Sequence, residues 1–179
     1  MSIVIPVYNE EESLQLLLDE VKAAIPTEHT YEIIFVNDGS QDKSLHILKQ
    51  IVDENQHTSL IDFYCNKGKA DALNEGFKIA QGEIVITMDA DLQDDPNEIK
   101  NLMDKINEGW DVVSGWKFDR KDPLNKTLPS KIFNGVMRFI TKVNIHDFNC
   151  GLKAYRQKVV KAIDLYGGMH RYTPALAAQ

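Results

Sequence analysis

Short, almost wholly apolar runs alternate with amphipathic stretches from Ser2 to Ser114, and this alternation restricts the fold more than any other feature of the chain. Ser2–Val7, Tyr31–Val36, Leu60–Tyr64, Glu83–Met88 and Asp111–Ser114 read as strands. Between them Glu10–Ile25, Asp42–Asn55, Lys69–Ala80 and Pro96–Glu108 read as helices. Leu14, Leu17, Leu18 and Val21 recur at helical spacing in the first helix, and Leu45, Leu48 and Ile51 in the second. Ile84, Val85, Ile86 and Met88 leave the fourth strand almost no polar face, which suits burial on both sides. Strands alternating with helices of this length imply right-handed βαβ units. The expected fold is α/β, a mostly parallel sheet flanked by helices in a single domain.

Composition narrows the classes of function. The chain has 179 residues, enough for one sizeable core, with 43% hydrophobic and 26% charged residues. A net charge of −7 argues against general nucleic-acid binding. Cys65 and Cys150 lie far apart with no CxxC spacing, so both are expected to be reduced packing residues of an intracellular chain. Met1-Ser-Ile-Val-Ile-Pro lacks the basic stretch of a signal peptide. No apolar run approaches the roughly 18 residues of a membrane span. Such a chain is expected not to cross a bilayer, although it can rest on one.

Polar clusters fall where the strands end, the place where ligands bind in open α/β sheets. They are Tyr8-Asn9-Glu10, Asn37-Asp38-Gly39-Ser40 and Asp89-Ala-Asp91. Clustered carboxylates repel, and a divalent cation offsets that; oxygen ligands suit Mg²⁺ or Mn²⁺. The alternative is a strand ending in a solvated acidic turn. Asp38 can accept from a base or ribose while Gly39 and Ser40 supply a turn and a helix N-cap; a plain turn and cap is equally open. Neither G-x-G-x-x-G nor G-x-x-x-x-G-K-[ST] occurs, which disfavours a dinucleotide oxidoreductase or a P-loop enzyme. Asn66-Lys67-Gly68-Lys69 can still present a lysine and N–H groups at a helix N-terminus.

Charge is unevenly placed. Eight acids and two lysines lie between Asp89 and Asp111, and five basic residues between Lys117 and Lys131. The basic run is either a solvated loop or a seat for a second anion. A phosphatase with Asp89 as nucleophile lacks evident Thr/Ser and Lys partners downstream.

Ile5-Pro6-Val7-Tyr8-Asn9-Glu10-Glu11, Val36-Asn37-Asp38-Gly39-Ser40, Asn66-Lys67-Gly68-Lys69 and Met88 to Pro96 resemble family 2 glycosyltransferases of the GT-A (Rossmann-like) fold. Val113 to Lys117, Asp147 to Arg156 and Met169 to Tyr172 narrow the resemblance to the polyprenyl-phosphate branch, which includes dolichol-phosphate mannose synthases. It runs from about Ser2 to Ala177.

The resemblance implies a nucleotide-diphosphate sugar such as GDP-mannose or a UDP-hexose, with inverting transfer to a polyprenyl phosphate at the cytoplasmic membrane face. Pro6, Tyr8, Glu10, Val36 and Asp38 would contact the nucleoside, and Lys69, Asp89 and Asp91 the rest of the donor. Asp89, Asp91 and Gln93 would hold the Mg²⁺ or Mn²⁺ that bridges the diphosphate. Lys117, Arg120 and Lys131 would clamp the acceptor phosphate, with Arg138 and Arg171 as further candidates. The family often carries Arg where this chain has Lys117 and Lys131, and Lys is a point charge without the bidentate fork. Asp147 matches a position that serves either as base or in positioning; capping the Phe148–Gly151 turn is a third role.

Pro129–Lys142 places Ile132, Phe133, Val136, Met137 and Ile140 at helical spacing beside Lys131, Arg138 and Lys142. It is either a core-packing helix or an amphipathic helix lying in a membrane interface. Relatives of this branch usually continue with a further strand and often with membrane helices, so 1–179 is expected to be a C-terminally truncated catalytic domain. Two other readings are a family 2 transferase for another saccharide or lipid acceptor, and a non-catalytic nucleotide-sugar-binding module.

Overall fold

A computed structural model describes residues 1–27, 29–116, 150–165 and 173–176. The element order is β1 (Ser2–Val7), α1 (Leu14–Ala24), β2 (Glu32–Asn37), α2 (Ser44–Glu54), β3 (Thr58–Asp62), α3 (Lys69–Ile79), β4 (Ile84–Thr87), α4 (Glu98–Asn107), β5 (Val112–Ser114), β6 (Lys153–Arg156), α5 (Gln157–Ala162) and α6 (Thr173–Leu176). The six strands form one sheet in the order β3-β2-β1-β4-β6-β5. β1 pairs in parallel with β2 and β4, and β2 with β3. β6 enters antiparallel between β4 and β5.

The period-2 alternation of the strands builds two cores, one on each face of the sheet. Ile3, Ile5, Val7, Ile33 and Phe35 point to one face, where Leu17, Val21, Leu48, Ile99 and Ile106 of α1, α2 and α4 cover them. Val4, Ile34, Val36, Val85 and Tyr155 point to the other, under Leu73 and Phe77 of α3 and Val159 and Val160 of α5. The helical stripes read from the sequence are thus the buried faces of α1 and α2, apart from Leu45, which is only half-buried.

Three local readings change. The third strand lies two residues earlier than expected, at Thr58–Asp62. Phe63 is buried in the second core after the strand has ended, and Tyr64 is fully exposed, so the aromatic pair marks a loop and not strand residues. β6 was not foreseen as a strand. Its four residues begin with a charged but buried Lys153 and end with Arg156, which hides the pattern of an inner strand. Cys150 packs in the core as expected, whereas Cys65 is exposed in the loop after β3; no disulfide joins them. Among the described residues no helix is long and apolar enough to cross a membrane. The segment Pro129–Lys142 lies outside them.

α3 lies close over β1 at Gly76, where an added Cβ would strike the Val4 side chain. Alanine normally improves a helix interior by about 1 kcal/mol over glycine. Here overpacking costs about 1–3 kcal/mol, so Gly76→Ala is expected to lower stability in urea denaturation. In a Val4→Ala background the same change should be neutral or stabilising. Equal stability of Gly76→Ala and wild type would show that Val4 yields without cost.

Candidate active site

β1, β2 and β4 are adjacent and parallel, so their carboxyl ends open on one rim. Side chains sew the loops after β1 and β2 together. The Asn9 N–H donates to Ser40 Oγ (3.0 Å), and the Gln41 N–H to Asn9 Oδ1 (2.7 Å). The Glu10 N–H donates to Ser44 Oγ (2.8 Å), and the Lys43 N–H to Glu11 Oε2 (2.7 Å). Asn9 adopts φ 56°, a left-handed step that asparagine tolerates better than most residues. Ser40 is therefore not the expected N-cap. α2 starts only at Ser44, whose N–H donates to Asp42 Oδ1 (2.9 Å), and Ser40 serves the neighbouring loop instead.

Asp38 is almost fully buried at 4% exposure, and both its oxygens are engaged. The Lys67 N–H donates to Oδ1 (2.7 Å) and the Gly68 N–H to Oδ2 (2.9 Å). These charge-assisted bonds fix the Asn66–Lys69 loop. Gly39, at φ 67°, lets that loop pass: a Cβ there would collide with the main chain of Cys65 and Asn66. Lys69 then opens α3, and its Nζ donates to Asp89 Oδ1.

The acidic turn after β4 is strained. Leu92 sits at φ 58°, a conformation that costs a bulky residue about 1–3 kcal/mol. The Gln93 N–H donates to Asp91 Oδ1 (3.1 Å), and the Asp89 N–H to Asp94 Oδ2 (3.2 Å). Gly151 lies against Asp89 so closely that a Cβ would come within 2.5 Å of its carboxylate oxygens. The Thr87 hydroxyl donates to the Gly151 carbonyl (2.8 Å) and holds that contact in place.

Pro6, Tyr8, Glu10, Asp38, Lys69, Asp89 and Asp91 meet around one cavity of about 290 Å³. Asn66 and Gly68 of the Asn66–Lys69 loop also line it. Two predicted residues stand apart. The Val36 side chain is wholly buried in the second core, which leaves only its main chain for a ligand. Gln93 lines a different cavity, with Glu20, Asp94 and Asp95, and does not line the one that holds Asp89 and Asp91. Lys117, Arg120, Lys131, Arg138, Asp147 and Arg171 lie outside the described residues.

Among the described residues no group of three or more His, Cys, Asp or Glu is arranged to hold a metal ion. Of the four carboxylates lining the cavity, Asp89 and Asp91 come from the acidic turn after β4 and offer oxygen ligands. Mg²⁺ is typically held in this way, by one or two carboxylates completed with waters and substrate phosphates, so the donor set fits a hard cation that arrives with a phosphate ligand.

Burial raises the Glu10 carboxyl above its ordinary value of 4.5, and the charges of Asp91, Asp42 and Asp89 add to the effect. Within the window from 4.5 up to that raised value, the folded chain binds more protons at Glu10 than the unfolded chain. Stability therefore falls as pH rises through it. Glu10→Gln removes the burden: the variant should gain on wild type in urea midpoint near pH 7 and lose that gain at about pH 3.5, below the ordinary carboxylate range. A gain of equal size at both pH values would rule out charge as the cause.

Residues 2–164 match the family model described as glycosyl transferase family 2. The chain is 36% identical over 182 residues to the dodecaprenyl-phosphate galacturonate synthase of Rhizobium johnstonii, covering 99% of this chain and 54% of that protein. It is 40% identical over 179 residues to the undecaprenyl-phosphate 4-deoxy-4-formamido-L-arabinose transferase of Photorhabdus laumondii, covering 99% of this chain and 55% of that one. The chain thus spans about half the length of these curated relatives. Among solved structures, S. aureus TarS 1-349 superposes with a TM-score of 0.70 at 22% identity, over 98% of this chain and 54% of that one. The mannosyltransferase PcManGT from Pyrobaculum calidifontis, in complex with GDP-Man and Mn²⁺, gives 0.67 at 21%, over 90% and 45%. At such identities the superpositions speak to the GT-A fold, and the family rests on the sequence matches. The chain belongs to glycosyl transferase family 2.

Proposed function

We propose that this chain binds a nucleotide-diphosphate sugar at the strand rim and transfers the sugar, with inversion, to a polyprenyl phosphate. The observation that carries the reading is the meeting of Tyr8, Glu10, Asp38, Lys69, Asp89 and Asp91 in one cavity at the carboxyl ends of β1, β2 and β4. Family membership and the polyprenyl-phosphate relatives support the acceptor class.

Tyr8 is 43% exposed and offers a face on which a base can stack. Pro6 and Asp38 bound the base and ribose. Because both Asp38 oxygens already hold loop N–H groups, Asp38 contributes a remaining lone pair and the shape of the pocket. Lys69 and the N-terminus of α3 draw the diphosphate. Asp89 and Asp91 are the residues that would hold Mg²⁺ or Mn²⁺. Such a cation, when bound, stabilises the charge that develops on the leaving diphosphate. Gln93, two residues on from Asp91, is the further oxygen ligand in this reading.

The acceptor needs little activation. A phosphate monoester has a second pKa of about 6 and is largely dianionic at neutral pH. Lys117, Arg120 and Lys131 would hold it, with Asp147 near the reacting centre as base or positioning group. The relatives' names carry galacturonate and 4-deoxy-4-formamido-L-arabinose, so the donor class extends beyond GDP-mannose and neutral UDP-hexoses. Work on a lipid phosphate would bring the chain to a membrane face, proposed here as the cytoplasmic one, where Pro129–Lys142 would supply an interfacial surface. Flotation with liposomes containing anionic lipid should carry the protein upward, and failure to float would remove that surface role.

Titration calorimetry with UDP and GDP, each with Mn²⁺ and with EDTA, tests the donor site. One nucleotide should bind at least about tenfold more tightly with metal, a difference of about 1.4 kcal/mol. Asp91→Asn should erase that difference, because Asp91 is exposed and its replacement disturbs no packing. Undiminished metal-dependent binding by the variant would overturn the site assignment.

A further inference from the structure

We infer that Lys69 and the divalent cation exchange at Asp89: the ammonium holds the carboxylate until donor and cation arrive, then passes to the donor's diphosphate. The inference rests on the donor-site reading above and concerns how that site is loaded.

The Lys69 Nζ bonds Asp89 Oδ1, one of the oxygens proposed for the cation. Asp89 is packed on one side. The Gly151 main chain packs against its carboxylate, and the Thr87 hydroxyl holds Gly151 there. Lys69 is anchored at its root, and its tip meets Asp89 on a partly exposed side chain. Asp38 pins the N–H groups of Lys67 and Gly68, so the side chain leaves α3 into the cavity, and about a third of it is exposed. Among the described residues lining the cavity Lys69 carries the only positive charge, against Glu10, Asp38, Asp89 and Asp91.

An ammonium and a divalent ion on one half-buried carboxylate repel each other strongly at such separations. The lysine is the partner able to move, being a compact charge on a flexible four-carbon stem. The diphosphate gives it a new place beside the α3 N-terminus. Lys69 therefore penalises cation binding without nucleotide and rewards nucleotide binding with cation. That is a coupling between the two ligands, and by linkage it acts equally on both.

The test measures free Mn²⁺ by electron paramagnetic resonance, with protein alone and with saturating UDP or GDP. Wild type, Lys69→Met, Lys69→Arg and Asp91→Asn are compared. Lys69→Met should bind Mn²⁺ alone about tenfold more tightly than wild type, and the nucleotide-induced gain in Mn²⁺ affinity should shrink by about the same factor. Lys69→Arg keeps the charge and should stay near wild type. In EDTA, Lys69→Met should bind nucleotide more weakly. Unchanged or weaker binding of Mn²⁺ alone by Lys69→Met overturns the exchange. If wild type couples Mn²⁺ to nucleotide, Asp91→Asn abolishes the coupling and Lys69→Met retains it in full, the exchange alone fails. If wild type shows no coupling and Asp91→Asn changes nothing, the donor-site reading fails and the exchange falls with it.

Discussion

Parallel pairing of β1 with β2 on one side and β4 on the other sends three chain segments out of the sheet at one rim, and the site depends on that arrangement. Sheet pairing alone leaves three independent loops. They become one surface because side chains of each loop satisfy main-chain N–H groups of the next. Asn9, Glu11, Ser40 and Ser44 bind the first two loops, and Asp38 reaches across to the third. The N–H groups of Glu10, Lys67 and Gly68 are partly buried, where leaving one unsatisfied costs about 1–3 kcal/mol, so those bonds also stabilise the fold.

Much of this was legible in the sequence, for physical reasons. Apolar residues at period 2 and period 3.6 marked β1, β2, β4 and the buried faces of α1 and α2, since burial on a sheet face or helix stripe writes itself into the pattern. Strand-end clusters gave the rim. What a single side chain would do there was less legible. Asp38 looked like a ligand acceptor, but its oxygens also hold a loop some thirty residues further along the chain, and such a contact leaves no local signal. Gln93 follows Asp91 by two residues yet lines another cavity, and between them Leu92 takes a left-handed turn, a conformation no leucine announces. Ser40 read as a cap because Ser before a helix usually is one; here α2 begins four residues later.

Charge gives the cavity its character. Four carboxylates face one ammonium, and burial with mutual repulsion raises the Glu10 carboxyl. Such a cavity is unfavourable by itself and becomes favourable when positive charge enters. Strain in the Leu92 turn belongs to the same economy: stability is given up locally where Asp91 is presented.

The place of β6 in the sheet has a consequence for how the chain is made. β4 finds its neighbour on one side early, in β1, but its other neighbour is Lys153–Arg156, encoded far downstream. Until that segment leaves the ribosome, β4 presents an open edge rich in Ile and Val, and β5 lacks its partner among the described strands. Closing the sheet then means bringing together partners separated by a long stretch of chain, the slow kind of pairing. The nascent protein is most exposed to edge-to-edge association in that interval, while synthesis runs from β5 to β6.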